Sequence, residues 1–253
     1  MKILTYILRH KGGVGRVIRT LEPELKKLGH ELEIVSREDD LNCFSLVESV
    51  RKLNKDRKKR DYDILLTNDW SIALPFKFNE NHFSLFHGLQ VTKTSRLIQK
   101  MVGRLIGKNL MVVGKKMSKI FPRATLTENG VNLEKFFNMN KERKYLGWIK
   151  RDYDLITEAE ARLKAEERGL ELSVAENIHP DKMNEWYNSL EVFISMPPEY
   201  TGFNLCWVEA FRAGVQIILG NNNGVGIKNI RNEDLTSKHQ AIKINEVIMR
   251  NRK

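Results

Sequence analysis

The sequence lacks the features that define several large classes of proteins. It contains 2 cysteines in 253 residues, and Cys43 and Cys206 stand too far apart for the close spacing of a disulfide framework or a zinc site. No apolar run approaches the ~20 residues that a membrane-spanning helix needs. Residues 1–9 acquire charge too early for a signal peptide and are typical of a first β-strand. We therefore expect a globular cytoplasmic protein with buried, reduced cysteines.

Acidic residues are missing from one long segment of the chain. Residues 81–127 contain no Asp or Glu, and residues 51–60 form a basic run. Residues 1–140 carry 26 Lys and Arg against 15 Asp and Glu, whereas residues 141–253 carry 17 of each, so the net charge of +11 belongs to the first part. Two interpretations fit this distribution: the basic surface is an ordinary solvated face, or the first domain meets an anionic partner.

Apolar runs typical of strands alternate with helical patterns along the chain. Strands are predicted at 3–8, 31–35, 64–66, 82–86, 110–113, 145–149, 172–174, 192–195 and 217–219, and helices at 14–28, 39–55, 94–107, 156–168, 180–190 and 205–212. This alternation predicts an α/β protein with parallel sheets built from βαβ units. The polar connector 137–144 coincides with the change in charge balance. We therefore predict two Rossmann-like domains, residues 1–140 and a short second domain, residues 141–253.

One predicted helix, at 94–107, carries two different stripes. Its apolar residues recur from Leu97 onwards at i, i+1, i+4, i+5, i+8 and i+9, which places them on one side. Arg96, Lys100 and Arg104 form a second, basic stripe. The pattern admits a helix that packs on the sheet with its basic back in water, and it equally admits a basic amphipathic surface that lies on anionic lipid headgroups.

The segment from Glu199 to Gly214 holds the densest group of candidate site residues. A predicted strand, 191–196, precedes it and another, 215–219, follows it, so its polar residues lie at the carboxyl end of a strand, where open α/β sheets bind ligands. Helix starts bind phosphate through free N–H groups. Glu209 stands alone among the apolar residues of this helix, which packing does not explain, and we interpret it as functional.

A glycine-rich loop, residues 10–16, follows the first strand and opens a helix. Glycines let the backbone approach an anion closely. The dinucleotide-binding spacing fails at Ile18, and an ATPase P-loop requires Ser or Thr where Val17 stands, so both interpretations are disfavoured. The triplets Asp61-Tyr-Asp63 and Asp152-Tyr-Asp154 resemble metal-binding pairs. Because acids are frequent in this chain, we predict no metal site.

Five segments in order carry a resemblance to the retaining family 4 glycosyltransferases. They are Gly12-Gly-Val-Gly-Arg16, Phe86-His-Gly88, Glu128-Asn-Gly-Val-Asn-Leu-Glu-Lys-Phe136, Met183-Asn-Glu-Trp-Tyr187 and Thr201-Gly-Phe-Asn-Leu-Cys-Trp-Val-Glu-Ala210. The resemblance implies the GT-B fold, in which two Rossmann-like domains face each other across a cleft. The second domain then holds the nucleotide-sugar donor and the first holds the acceptor. No bound metal is needed, because basic side chains and helix dipoles neutralise the leaving diphosphate.

The resemblance also implies roles for particular residues. Glu209 matches the family acid that holds the donor ribose, and His87 matches the histidine near the transferred sugar. Lys150 and Arg151 match the basic pair that clamps the diphosphate. The predicted set comprises catalytic His87, Glu199 and Thr201; donor-binding Gly13, Gly15, Lys150, Arg151, Gly202, Phe203, Asn204, Leu205 and Glu209; and acceptor-side Arg16 and Asp69.

The sequence departs from the family pattern in two places. The first family acid falls on Thr201, and Glu199, two residues earlier, either reaches the same sugar hydroxyls or faces water. Asn204 replaces the usual small residue of this turn. Beyond Gly220 the family has further α/β structure and a closing helix that returns to the first domain, whereas this chain continues with mostly polar residues. The second domain is therefore predicted to be abbreviated.

Two functions remain open from the sequence. The first is metal-independent transfer of a sugar from a nucleotide-sugar to an anionic or lipid-linked acceptor, by a retaining glycosyltransferase whose basic domain contacts an anionic membrane. The second is a non-catalytic module that binds a nucleotide-sugar or a glycan. Nucleic-acid binding is disfavoured, because the acid-free segment offers few aromatic rings for base stacking.

Overall fold

The computed structural model describes residues 1–90, 92–151, 154–198, 204–219 and 235–252. The chain forms two compact units, one made of residues 1–130 and 237–253 and the other of residues 131–236. Each unit contains a parallel β-sheet with helices between its strands. The protein is therefore α/β with two Rossmann-like units, as the alternation of elements predicts.

The first unit is built on a sheet of six strands. Its strands are β1 (Lys2–Ile7), β2 (Glu31–Ser36), β3 (Ile64–Asn68), β4 (His82–Phe86), β5 (Leu110–Val112) and β6 (Thr125–Leu126). Its helices up to this point are α1 (Gly13–Lys27), α2 (Leu46–Arg57), α3 (Trp70–Ala73), α4 (Lys93–Ile106) and α5 (Lys115–Ile120). The spatial order of the strands is β2-β1-β3-β4-β5-β6, and every neighbouring pair is parallel.

Helices on both faces bury the central strands of this sheet. β3 and β4 are buried at every position, and β1 is buried at every position after its first. Strands covered on both faces are largely apolar, which is why the sequence predicts them well. On one side Leu4 and Tyr6 pack with Phe76, and the rings of Tyr6 and Phe76 stack with centroids 5.7 Å apart.

The second unit has a smaller sheet. Its strands are β7 (Tyr145–Ile149), β8 (Glu171–Ala175), β9 (Leu190–Ser195) and β10 (Gln216–Leu219), and its described helices are α6 (Glu158–Glu166), α7 (Met183–Ser189) and α8 (Leu205–Arg212). The four described strands are parallel, in the order β10-β9-β7-β8. Leu146 and Trp148 of β7 pack with Val192 and Ile194 of β9 in the centre of the core.

A terminal helix, α9 (Ser237–Asn251), belongs to the first unit. It packs along α1 and buries apolar residues such as Ile244 and Val247. The sequence analysis assigns this segment to the second domain, 141–253, as its polar end. The compact units divide the chain differently, because residues 237–253 belong to the first unit. Buried polar residues on its inner face give the segment a polar composition, although its buried positions recur at helical spacing.

Gln240 is one of these buried polar residues of α9. Its side chain accepts a hydrogen bond from the backbone N–H of Gly130 (3.1 Å) and donates to the carbonyl oxygen of Thr127 (3.3 Å) and to Oδ1 of Asn129 (3.2 Å). A buried amide is stable only when its donors and acceptors are used. The network therefore fixes α9 to the segment that follows β6.

The predicted elements are largely confirmed. All nine predicted strands are present, with ends shifted by at most two residues. The helix predicted at 39–55 begins only at Leu46, because Ser45 caps it by accepting a hydrogen bond from the backbone N–H of Glu48. The short elements α3, α5 and β6 were missed. No helix in the described part of the chain combines the length and the apolar character needed to cross a membrane.

Among the described strands, each sheet shows one switch point, where two adjacent strands connect to their next strands in opposite directions across the sheet. It lies between β1 and β3 in the first unit and between β7 and β9 in the second. In open α/β sheets the carboxyl ends of strands at a switch point form the ligand-binding edge. The loops that follow these four strands are therefore the places to look for a site.

Candidate functional site

The candidate donor site of the second unit begins with the loop after β7. Lys150 and Arg151 are the first residues after this strand. Nζ of Lys150 lies 3.2 Å from Oε2 of Glu176, and both side chains are about half exposed. Arg151 points elsewhere, since its Nη1 lies 3.5 Å from Oδ1 of Asn204. The structure thus brings Arg151 to the start of α8 and pairs Lys150 with Glu176.

The start of α8 adds backbone donors to this positive charge. Asn204 is the N-cap residue of α8 and makes no side-chain capping hydrogen bond. The first N–H groups of a helix have no partner within the helix, and the helix dipole favours an anion beside them. Leu205, the first residue of the helix, is buried. A guanidinium beside the amino end of a helix is an arrangement that suits a phosphate, and the phosphate-binding role of Arg151 stays a prediction.

Glu209 lies inside the second unit. The residue is 2% exposed, and its Oε2 accepts a hydrogen bond from the hydroxyl of Tyr187 at 3.0 Å. Tyr187, on α7, is fully buried, and its ring contacts the rings of Trp186 and Phe193. The sequence analysis missed Tyr187, which gives this buried carboxylate a partner within the fold. The ribose-binding role of Glu209 stays a prediction.

Asp154 connects two loops at the same edge of the sheet. Its Oδ1 accepts a hydrogen bond from the backbone N–H of Met196 (3.0 Å), the first residue after β9. Its own N–H donates to the carbonyl oxygen of Arg151 (3.1 Å). Burial raises the pKa of Asp154. Asp154 therefore fixes the Arg151 loop against the end of β9, whereas the sequence suggested only a weak metal-binding triplet.

Several predicted residues cannot be placed in this site. Glu199, Thr201, Gly202 and Phe203 lie outside the described residues, and so does Asp152. Their predicted roles stay predictions.

In the first unit the glycine-rich loop joins β1 to α1. Gly12 caps α1 with a φ of 110°, a conformation that favours glycine. A Cβ on Gly15 would overlap the carbonyl oxygen of His10, so only glycine lets α1 pack this closely on the loop. A Cβ on Gly13 would meet no described atom within 4 Å. Arg16 lies half-buried in the first turn of α1.

Carboxylates that follow β2 hold the glycine-rich loop in place. The backbone N–H of His10 donates to Asp39 (2.6 Å), and Nε2 of the same histidine lies 2.9 Å from Oδ2 of Asp40. Arg9 forms an ion pair with Glu38. The backbone hydrogen bond from His10 lowers the pKa of Asp39. These contacts, which the sequence analysis missed, fix the loop between the ends of β1 and β2.

Asn68 is the centre of a buried network at the end of β3. Its Nδ2 donates to the hydroxyl of Thr5 (2.9 Å) and to the carbonyl oxygen of Tyr6 (3.2 Å). Because a carbonyl can only accept, Oδ1 must face the other way, where Nε2 of His87 donates to it at 3.1 Å. Burial lowers the pKa of His87 to about 4. Near pH 7 the ring is therefore neutral, with its proton on Nε2 and an acceptor lone pair on Nδ1.

Asp69 directly follows Asn68 and caps α3. Its Oδ1 accepts hydrogen bonds from the backbone N–H and the hydroxyl of Ser71 at 2.8 and 2.7 Å. Its φ of 122° is rare for a residue other than glycine and marks local strain. Burial raises the pKa of Asp69. The two predicted residues Asp69 and His87 are thus joined through Asn68, which the sequence analysis did not identify.

The described residues offer neither a cluster of metal ligands nor a disulfide. The described residues contain no group of three or more His, Cys, Asp or Glu side chains that could hold a metal ion. Cys43 and Cys206 are both buried and form no disulfide. The described side chains at the two edges include the cations of Lys150 and Arg151, carboxylates such as Asp69 and Asp154, and the neutral imidazole of His87.

Comparison with solved structures identifies the fold. A sucrose-phosphate synthase from Thermosynechococcus elongatus matches with a TM-score of 0.64 and 13% identity, over 99% of this chain and 94% of that chain. HepE from Anabaena, in complex with UDP and glucose, matches at 0.57 and 11%, over 100% and 96%. The catalytic domain of starch synthase IV from Arabidopsis thaliana, bound to ADP and acarbose, matches at 0.60 and 10%, over 99% of each.

These matches extend over nearly the whole of each chain and share both parallel-sheet units. The protein therefore has the GT-B fold of these glycosyltransferases, as the resemblance implies. No protein-family model matches the sequence, and no curated protein matches it either. At identities this low, the likeness shows the fold alone, since one fold hosts many functions.

Proposed function

We propose that the protein is a retaining glycosyltransferase of the family 4 type that moves a sugar from a nucleotide-sugar to an anionic or lipid-linked acceptor. The observation that carries the proposal is the position of Arg151 beside the amino end of α8, at the carboxyl edge of the second sheet. A guanidinium beside the positive end of a helix dipole suits a diphosphate. Two solved neighbours hold UDP or ADP, and both nucleotides carry that group.

The same arrangement supports a step that needs neither a metal nor another cofactor. When the bond between the sugar and the donor phosphate breaks, negative charge accumulates on the nucleoside diphosphate. Arg151 and the dipole of α8 are already in position before this charge develops. The site therefore does not have to rearrange during the reaction. Lys150 adds a second positive charge. Its exposed pair with Glu176 is weak and exchanges readily for a phosphate.

The first unit supplies the groups that we assign to the acceptor side. Nδ1 of His87 is a neutral hydrogen-bond acceptor near pH 7, which suits a hydroxyl group of a sugar or an acceptor. Asp69 and the open space beside Gly13 lie at the ends of the neighbouring strands β3 and β1. The excess of basic residues in this unit favours an anionic acceptor.

Turnover of a nucleotide-sugar tests this proposal. The purified protein is incubated with UDP-, GDP- and ADP-sugars in the presence of EDTA, with and without anionic lipid-linked acceptors. We expect release of one nucleoside diphosphate, accelerated by the correct acceptor, and a product whose anomeric configuration, read by NMR, is that of the donor. Dependence on an added divalent cation would contradict the metal-free step. Tight donor binding without any release would favour the non-catalytic module instead.

A further inference from the structure

The apolar positions of α4 form two rows with different surroundings. One row begins at Ile98, continues at i+4 and i+8, and packs into the core beneath the helix. The other row consists of Leu97, Met101 and Leu105, which are 60, 56 and 51% exposed. We call these three residues the exposed row. The structure therefore buries only half of the stripe that the sequence shows on this helix.

Basic side chains run along the exposed row. Arg96, Lys100 and Arg104 each directly precede one of its members, and Lys93 and Lys108 lie near its two ends. Arg104, Lys93 and Lys108 are exposed, while the other two are partly exposed. Residues 81–127 contain no acidic residue, so no carboxylate from this stretch neutralises the charge. A line of long apolar side chains thus lies beside a line of positive charges on one solvent-exposed helix face.

We propose that this face of α4 docks the protein onto a lipid surface that carries anionic headgroups. Leucine and methionine side chains enter the boundary between headgroups and acyl chains, while lysine and arginine extend their charged ends to the phosphates. The three members of the exposed row, spaced at i, i+4 and i+8, span about 12 Å along the helix, so they reach the surface together. The inference is separate from the donor site and does not depend on turnover.

Charge and side-chain type favour a lipid surface over other partners. A symmetric contact between two copies through this face would place the basic residues of one α4 against those of the other, which is repulsive. Nucleic acid would use the positive charge but would leave the exposed row in water, because Leu97, Met101 and Leu105 offer no aromatic ring for base stacking. An anionic lipid surface offers apolar contacts to the exposed row and negative charge to the basic side chains beside it.

Insertion of α4 can be measured directly with a fluorescent label. The two native cysteines are buried, so a thiol-reactive environment-sensitive dye attaches selectively to Met101→Cys. With vesicles that contain phosphatidylglycerol, we expect the dye emission to increase and shift to shorter wavelength, and to change little with pure phosphatidylcholine. Leu163→Cys, at a position of α6 that is 57% exposed, is the matched control and should not respond.

Vesicle co-sedimentation separates the apolar and the basic contributions. The triple variant Leu97→Gln, Met101→Gln, Leu105→Gln keeps the charge and should weaken binding at least about tenfold. Removing Lys100 and Arg104 together, by substitution with glutamine, should weaken it about 25-fold, because each basic residue near an anionic surface contributes about fivefold.

The charge-matched control replaces Lys58 and Lys59, two exposed residues after α2. Its affinity for the vesicles should stay within about twofold of that of the unmodified protein. All substitutions lie at exposed or partly exposed positions, and circular dichroism verifies that each variant remains folded. The proposal is overturned if the unmodified protein does not bind anionic vesicles, or if the triple variant binds them as well as the unmodified protein. It is likewise overturned if both double variants lose binding equally. It is also overturned if sedimentation shows a dimer that the triple variant abolishes.

Discussion

At the residue scale, Asn68 determines how His87 is presented. Its amide nitrogen is committed to Thr5 and Tyr6, so its oxygen must accept the Nε2 proton of His87. This fixes one tautomer of the imidazole and leaves Nδ1 as the acceptor. Asn68 therefore acts through His87, and we regard it as a positioning residue for that histidine.

Replacing Asn68 with aspartate should raise the pKa of His87 above its value of about 4. A carboxylate at the place of Oδ1 stabilises the imidazolium form, and a contact at this distance shifts a pKa by about 1 to 3 pH units. The titration is followed by NMR of the imidazole ring. His82, at the start of β4, serves as an internal control. Burial lowers its pKa to about 4, and its ring contacts Thr67 of β3. An unchanged titration of His87 would refute the assignment.

The same scale shows which site residues a sequence can reveal. The positions of Arg151, His87 and Asp69 after recognisable strands could be predicted from the sequence, and their roles stay predictions. Asn68 and Tyr187 were missed, since their roles depend on hydrogen bonds to residues distant in the chain. Periodicity and local motifs carry no information about such partners, and only the three-dimensional arrangement reveals them.

At the scale of elements, α4 and α9 show the limits of periodicity. The apolar positions of α4 cover about half of the helix circumference, and a helix lying on one sheet buries a narrower stripe, so the remaining row stays in water. In α9 the inner face includes Gln240 and Asn251 at its two ends, which makes the segment look polar. Its buried positions nevertheless recur at helical spacing, and this signal would have identified the helix.

The packing of α9 on the first unit leads to a prediction about local stability. Ile244→Ala should destabilise the first unit by about 2 to 5 kcal/mol, because it removes a fully buried side chain. Hydrogen exchange should then become faster in α1 and β1 while β7 and β9 keep their protection. Met249→Ala, at a position of the same helix that is 46% exposed, should change stability by less than about 0.5 kcal/mol. Faster exchange confined to the second unit would contradict this division of the chain.

At the scale of the whole molecule, the sequence was sufficient for the fold and for the positions of several candidate site residues. Two sets of apolar strands alternating with helices predict two parallel sheets, and the GT-B neighbours match both. The switch points follow from the strand order, which no local pattern encodes. The carboxyl edge of the second sheet is where Arg151 and α8 meet, and the proposed activity depends on that meeting.

Calorimetry of donor binding tests this central claim most directly. The unmodified protein, Arg151→Gln and Arg168→Gln are titrated with UDP-, GDP- and ADP-sugars without metal. Arg168 is an exposed arginine at the far end of α6, where that helix leads into the start of β8, and it controls for the loss of charge. A charge-assisted hydrogen bond contributes about 1.5 to 3 kcal/mol, which corresponds to a change of about 10- to 100-fold in affinity.

We predict that one nucleotide-sugar binds the unmodified protein and Arg168→Gln equally, and that Arg151→Gln binds it about 10- to 100-fold more weakly. Absence of binding by every nucleotide-sugar, or equal affinity of Arg151→Gln and the unmodified protein, would contradict the donor site at the start of α8.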